Sequence, residues 1–212
     1  MPEPIGADRD GGGSAVIGHV VLVGLMGSGK TTVGKKVASL LAVSFVDADV
    51  EIEARTGRTV AEWFAEGEAA FRAAEADLLA ELLAAPEPSV VGSGGGVVVT
   101  ERNRRLLASP AVTTVYLHAP ARFLATRARA RPHRPLLSGD PETVLSTMYA
   151  ERNAWYREVA DAVVEVRPAH EAAEKPKWRL AQQVVEALVD VGVVDASVAQ
   201  SPDATAPSEV RP

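Results

Sequence analysis

Gly24-Leu25-Met26-Gly27-Ser28-Gly29-Lys30-Thr31 is the stretch that decides the fold. It fits G-x-x-x-x-G-K-[ST], a loop whose backbone N–H groups cradle phosphates. Its flanks agree. Val20 to Val23 form a short β-branched apolar run, the pattern of a buried strand. Beyond it, Val33, Val37, Leu40 and Leu41 recur at helical spacing. The motif therefore falls between a strand and a helix N-terminus, where unpaired N–H groups and the helix dipole favour an anion. Gly24, Gly27 and Gly29 let the backbone bend close to phosphate oxygens. Lys30 is placed to meet β- and γ-phosphates, and Thr31 offers a hydroxyl to Mg2+.

Composition bounds what surrounds this loop. The chain has 212 residues, 47% of them hydrophobic and only 5% aromatic, which suits one domain with an aliphatic core. A net charge of −6 argues against non-specific nucleic-acid binding. The absence of cysteine excludes disulfides and thiolate metal sites and fits a reducing cytoplasm. No apolar run approaches the ~18 residues of a membrane span, and Met1 to Ser14 lacks the apolar segment of a signal peptide. The expectation is a cytoplasmic monomer with no membrane or nucleic-acid partner.

Residues 1–15, rich in glycine and proline, read as a disordered tail, and so do 195–212. Between them, 16–194 reads as one domain. Strands are expected at Ser44 to Asp47, Ser89 to Val91, Thr113 to Leu117 and Ala162 to Val166. Helices are expected at Asp49 to Glu53 (ended by Gly57), around Trp63, from Ala69 to Ala85, Glu101 to Ala108, Ala121 to Ala130, Pro141 to Val159 and Lys177 to Val189. Short apolar strands alternating with helices predict an α/β fold, a parallel sheet covered on both faces. Ligands of such sheets bind at the carboxyl ends of the strands.

The residues at those ends are the candidates. Asp47 and Asp49 follow the second strand. One could organise the water shell of a metal and the other reach a substrate hydroxyl. Equally, Asp49 could cap its helix and be no more than a solvated acid. Gly94, Gly95 and Gly96 follow the third strand and permit close backbone approach, or form a plain flexible loop. Arg72 and Glu75 share a helix face, as a positioned pair or an ordinary surface ion pair. Arg127, Arg129, Arg131 and Arg134, with Pro132 and Pro135, suit a lid over phosphates or a solvated connector. Arg152, Trp155 and Tyr156 lie on the next helix, where plain amphipathic packing would also explain them. His19, His118, His133 and His170 have no metal-ligand spacing and read as non-catalytic.

Together these stretches resemble the shikimate kinase family, a P-loop group like the nucleoside-monophosphate kinases. The matching segments are GLMGSGKTTVG at 24–34, FVDADVEIE at 45–53, FRAAE at 71–75, GSGGGVV at 92–98, RPLL at 134–137 and ERNAWYREVA at 151–160. The resemblance implies a five-stranded parallel sheet in order 2-3-1-4-5, a substrate-binding part at about 48–76 and a lid at about 128–140. It implies that ATP phosphorylates the 3-hydroxyl of shikimate, with Mg2+ as cofactor. Carried over by position, Gly27, Ser28, Gly29, Lys30, Thr31 and Thr32 hold the nucleotide's phosphates, and Arg127 lies near the nucleotide. Lys30, Asp49 and Arg134 are the catalytic set, Arg134 also reaching the nucleotide. Asp49, Arg72, Gly94, Gly95, Gly96 and Arg152 bind shikimate, the two arginines at its carboxylate, with Glu75 orienting Arg72. Thr31 binds Mg2+ and Asp47 supports it through water. A gluconate kinase of the same fold would also need arginines for a carboxylate, but FRxxE with GGG favours shikimate. Three departures stand out: Ala154-Trp155 where the family has Pro-Leu, Ser93 where it has Leu, and a longer stretch at 167–176, for which no adenine contacts are assigned.

Overall fold

The structure, a computed structural model, describes residues 18–129, 140–172 and 175–199. Most of the expected lid, Arg134 included, and most of both tails lie outside the described residues. Five strands appear among the described residues: β1 (His19–Val23), β2 (Ser44–Asp47), β3 (Ser89–Gly92), β4 (Val112–His118) and β5 (Ala162–Glu165). They form one parallel sheet in order β2-β3-β1-β4-β5. β1 lies in the middle, with Val20 beside Val90 on one side and Thr113 on the other. Every residue of β1, β3 and β4 is buried, as a sheet covered on both faces demands. The chain reversals place the P-loop, Asp47, the glycine triplet and His118 at one edge, the carboxyl ends.

Helices α1 (Lys30–Leu41), α2 (Ala48–Thr56), α3 (Val60–Glu66), α4 (Glu68–Leu83), α5 (Glu101–Leu107), α6 (Ala121–Arg129) and α7 (Pro141–Val159) follow the expected pattern within a few residues. Asp140 caps α7, its carboxylate accepting from the Thr143 N–H at 3.0 Å, and Pro141 occupies the first turn. The main core runs through the strands, α1, α7 and α9 (Pro176–Asp190), on aliphatic side chains such as Leu22, Val37, Leu117, Leu145, Leu180 and Leu188. A separate small cluster of Ala48, Ile52, Phe71 and Leu78 holds α2, α3 and α4 together.

Two expectations are corrected. The stretch from Arg167, expected as a loop, begins as helix α8 (Val166–Ala172). Pro168 falls in its first turn, where a missing N–H breaks no intrahelical bond. Residues 196–199, expected within the C-terminal tail, form helix α10 (Ala196–Ala199). Asp195 caps it by accepting from the Ser197 N–H at 2.8 Å, and Val194 and Val198 pack on the core.

Candidate active site

The P-loop takes the strained path that its glycines allow. Gly24, Gly27 and Gly29 have φ of 138°, 87° and 107°, a region that side chains avoid. A Cβ on Gly24 would lie 2.7 Å from the Leu117 carbonyl oxygen. Gly29 precedes α1 without a side-chain cap, and the N–H groups of a helix's first turn have no intrahelical partner. The Ser28 hydroxyl is buried with no hydrogen-bond partner among the described residues. Lys30 Nζ curls over the loop and donates to the carbonyls of Gly24 at 2.7 Å and Leu25 at 3.2 Å. Such an arrangement suits a polyphosphate: orphan donors, an unpartnered hydroxyl and an ammonium at one helix end.

Beside the loop, the Thr31 hydroxyl donates to Asp47 Oδ2 at 2.6 Å. The other Asp47 oxygen accepts from the Val50 N–H at 3.4 Å and caps α2. The cap is thus Asp47, not Asp49 as spacing allowed. Asp49, one residue into α2, is released from capping. Burial pushes its carboxyl above the usual range, nearby Asp47 adds to this, and Lys30 pulls it back.

Arg72 and Glu75 on α4 are not surface ions. They are 8% and 2% exposed. Arg72 Nη1 donates to Glu75 Oε2 at 2.8 Å, and its Nε and Nη2 donate to Glu68 Oε1 at 3.1 and 2.9 Å. Phe64 and Phe71 flank the guanidinium. Burial opposes the Arg72 charge, and the two carboxylates more than offset that, raising its pKa. Burial also raises the Glu75 carboxyl, while Arg72 lowers it. Its Oε1 is buried with no hydrogen-bond partner among the described residues.

The glycine triplet joins these parts. None of its residues needs a positive φ; what they need is space. A Cβ on Gly94 would fall 2.6 Å from Glu75 Oε1 and 2.8 Å from Asp49 Oδ1. On Gly96 it would fall 2.0 Å from Arg72 Nη2, and on Gly95 3.3 Å from the Met26 backbone nitrogen of the P-loop. Arg152 reaches the triplet from α7, its Nη1 donating to the Gly95 carbonyl at 3.1 Å. Arg72 and Arg152, far apart in sequence, thus meet at adjacent residues. Ser93 also finds a role: its hydroxyl and N–H both donate to the Leu22 carbonyl, at 2.9 and 3.2 Å, tying the triplet's entry to β1. Trp155 packs on the core and carries Arg104 on its ring.

A cleft of about 760 Å3 runs along this edge. P-loop residues, Asp47, Asp49 and Gly95 wall it, together with Arg127, His170 and Lys177 of α9. Arg72 and Arg152 are not among the residues that wall it; they contact the triplet at Gly96 and Gly95. Arg127 Nη1 lies 2.9 Å from His170 Nε2. Burial, with Arg127 and Lys177 nearby, lowers the His170 pKa. Sequence reading set His170 aside, and no local signal marked it, because its helix lies in the divergent stretch. Tyr156 was named beside Arg152 but given no role, though its i,i+4 spacing from Arg152 places both on one helix face.

Comparison with known proteins points to one family. The family model described as shikimate kinase matches residues 26–190. A shikimate kinase of Halorhodospira halophila is 46% identical over 172 residues, covering 80% of this chain and 93% of its relative. A shikimate kinase of Neisseria gonorrhoeae is 41% identical, covering 78% and 97%. Among solved structures, the shikimate kinase of Acinetobacter baumannii in complex with shikimate superposes with a TM-score of 0.74 at 35% identity, covering 84% of this chain and 96% of that one. The chain, with its P-loop, paired acids and arginine-backed glycine triplet, belongs to the shikimate kinase family, a family of small-molecule kinases.

Proposed function

We propose that the residues gathered here carry out the family's reaction, transfer of the γ-phosphoryl group of ATP to the 3-hydroxyl of shikimate, giving shikimate 3-phosphate and ADP. The observation that carries this reading is the glycine triplet. One backbone turn abuts Arg72 at Gly96, Asp49 and Glu75 at Gly94, and the P-loop at Gly95. An acceptor seated on that turn has an arginine pair for a carboxylate, an acid for a hydroxyl and a phosphate loop alongside.

Each residue then has a physical task. The first-turn N–H groups of α1 and Lys30 bind the phosphates, and Lys30 neutralises charge that develops during transfer. Arg127, with His170 beside it, lines the nucleotide's cleft. Arg72 and Arg152 bind the shikimate carboxylate, for which guanidinium geometry is suited. Glu68 and Glu75 hold Arg72 in place. Asp49 accepts a hydrogen bond from the attacking hydroxyl and orients it; in a loose transition state the proton can leave late. Arg134, outside the described residues, is assigned to the transferring phosphate by resemblance alone. Thr31 and Asp47 fit a hard cation: both present oxygen, and they already touch. Two protein oxygens are enough for Mg2+, an ion that keeps waters and takes phosphate oxygens. When bound, Mg2+ would supply charge to the β- and γ-phosphates. Among the described residues no helix is long and apolar enough to cross a membrane.

A coupled ADP-release assay with shikimate, gluconate or no acceptor tests the reading. Turnover is expected with shikimate only. Equal turnover with gluconate, or without acceptor, would overturn it.

A further inference from the structure

Arg152 is not alone on the Gly95 carbonyl. The Tyr156 hydroxyl donates to the same oxygen at 2.5 Å. Tyr156 is wholly buried, and its ring stacks on Tyr116, centroids 4.9 Å apart. Burial pushes its phenol well above the ordinary range, so the hydroxyl remains a donor. The same face of α7 is latched elsewhere: Tyr149 meets His118 Nε2 at 2.9 Å and Asn153 accepts from Tyr116 at 3.1 Å. Those latches go to β4. Only the Arg152–Tyr156 pair, among the described residues of α7, reaches the triplet.

This convergence has a consequence for binding. Arg152 is the residue assigned to the acceptor's carboxylate, yet one of its nitrogens is engaged with Gly95. If Arg152 were the sole donor there, turning towards a ligand would leave a half-buried carbonyl without its protein partner, at a cost. With Tyr156 present, the carbonyl keeps a partner. Because the peptide is planar, fixing the Gly95 C=O also fixes the direction of the Gly96 N–H on its other side, at the point where Gly96 abuts Arg72.

We propose that Tyr156 is a positioning residue for the acceptor: by holding the Gly95 carbonyl it orients the triplet's backbone and leaves Arg152 able to serve the acceptor's carboxylate. This rests on the acceptor-site reading above. Saturation of the wild-type enzyme by shikimate tests that reading, and the variants test the inference.

Tyr156→Phe removes one hydroxyl and keeps the ring. Its KM for shikimate should rise roughly tenfold, with KM for ATP within about twofold. In thermal-shift measurements the variant should lose most of the stabilisation given by shikimate and keep that given by ADP. Tyr116→Phe, which removes a neighbouring buried hydroxyl that does not touch Gly95, should change neither KM by more than about twofold. A merely structural role would lower thermal stability and move both KM values together, or neither. Either pattern in Tyr156→Phe, or an equal rise in Tyr116→Phe, would overturn the proposal.

Discussion

Asp49 sits where burial works against its charge and Lys30 works for it, and burial wins. The form needed to orient a hydroxyl is the carboxylate. A carboxyl pKa raised above ~3.9 means that protonation, and loss of that form, sets in at higher pH than for a solvated aspartate. The acid limb of kcat/KM should therefore rise with pH through a midpoint above the ordinary carboxylate value. Asp49→Asn should lower kcat/KM by about 10²–10⁴ and abolish that limb. A limb that persists unchanged in the variant would assign it to another group, Glu75 being the nearest buried acid whose pKa is also raised. Lys30 is tested more simply. Its ammonium closes the P-loop on the Gly24 and Leu25 carbonyls, so Lys30→Ala should cut kcat by at least about 10²-fold while circular dichroism shows the helices retained.

At the scale of elements, the triplet and the helices facing it show what was legible and what was not. The P-loop could be read because its signal is local: strand, glycines and helix lie within one short stretch. The pairing of Arg72 with Glu75 was readable from i,i+3 spacing, but their burial was not, since Phe64, Phe71 and the triplet cover them only in three dimensions. The choice of Asp47 over Asp49 as helix cap turned on where α2 begins, at Ala48 instead of Asp49, a matter of one residue that propensity does not resolve. Helix α8 was missed because Pro168 reads as a breaker unless the helix start is known. The triplet was read as room for a ligand, and the structure adds that the room is already used by the protein's own side chains. Gly96→Ala tests this. Its backbone does not require glycine, so the effect must come from the Cβ, which would lie 2.0 Å from Arg72 Nη2. Glu68 and Glu75 pin that guanidinium, so it cannot simply swing away. Isothermal calorimetry should show shikimate affinity reduced by at least about tenfold, with ATP affinity little changed. Unchanged shikimate affinity would mean that Arg72 is freer than its ion pairs suggest.

The molecule as a whole carries its two substrates on differently built ground. The P-loop grows out of the large core, where β1 and α1 are packed by α9 and its wholly buried Leu188. The acceptor side rests on the small cluster around Phe71, to which α2, α3 and α4 contribute. α4 belongs to both, with Phe71 in the small cluster and Leu79 in the large one. Truncations in the two clusters should therefore separate stability from acceptor binding. Leu188→Ala should cost about 2–5 kcal/mol of global stability, lowering the urea midpoint with both KM values unchanged well below the melting temperature. Phe71→Ala removes a ring that stacks near Phe64 and flanks the Arg72 guanidinium. It should raise KM for shikimate by at least about tenfold, because local loosening of the arginine is felt at the carboxylate. KM for ATP should hold, since the P-loop draws nothing from that cluster. If Phe71→Ala and Leu188→Ala shifted both KM values in parallel, the two clusters would be a single cooperative unit, and the division between nucleotide ground and acceptor ground would be wrong.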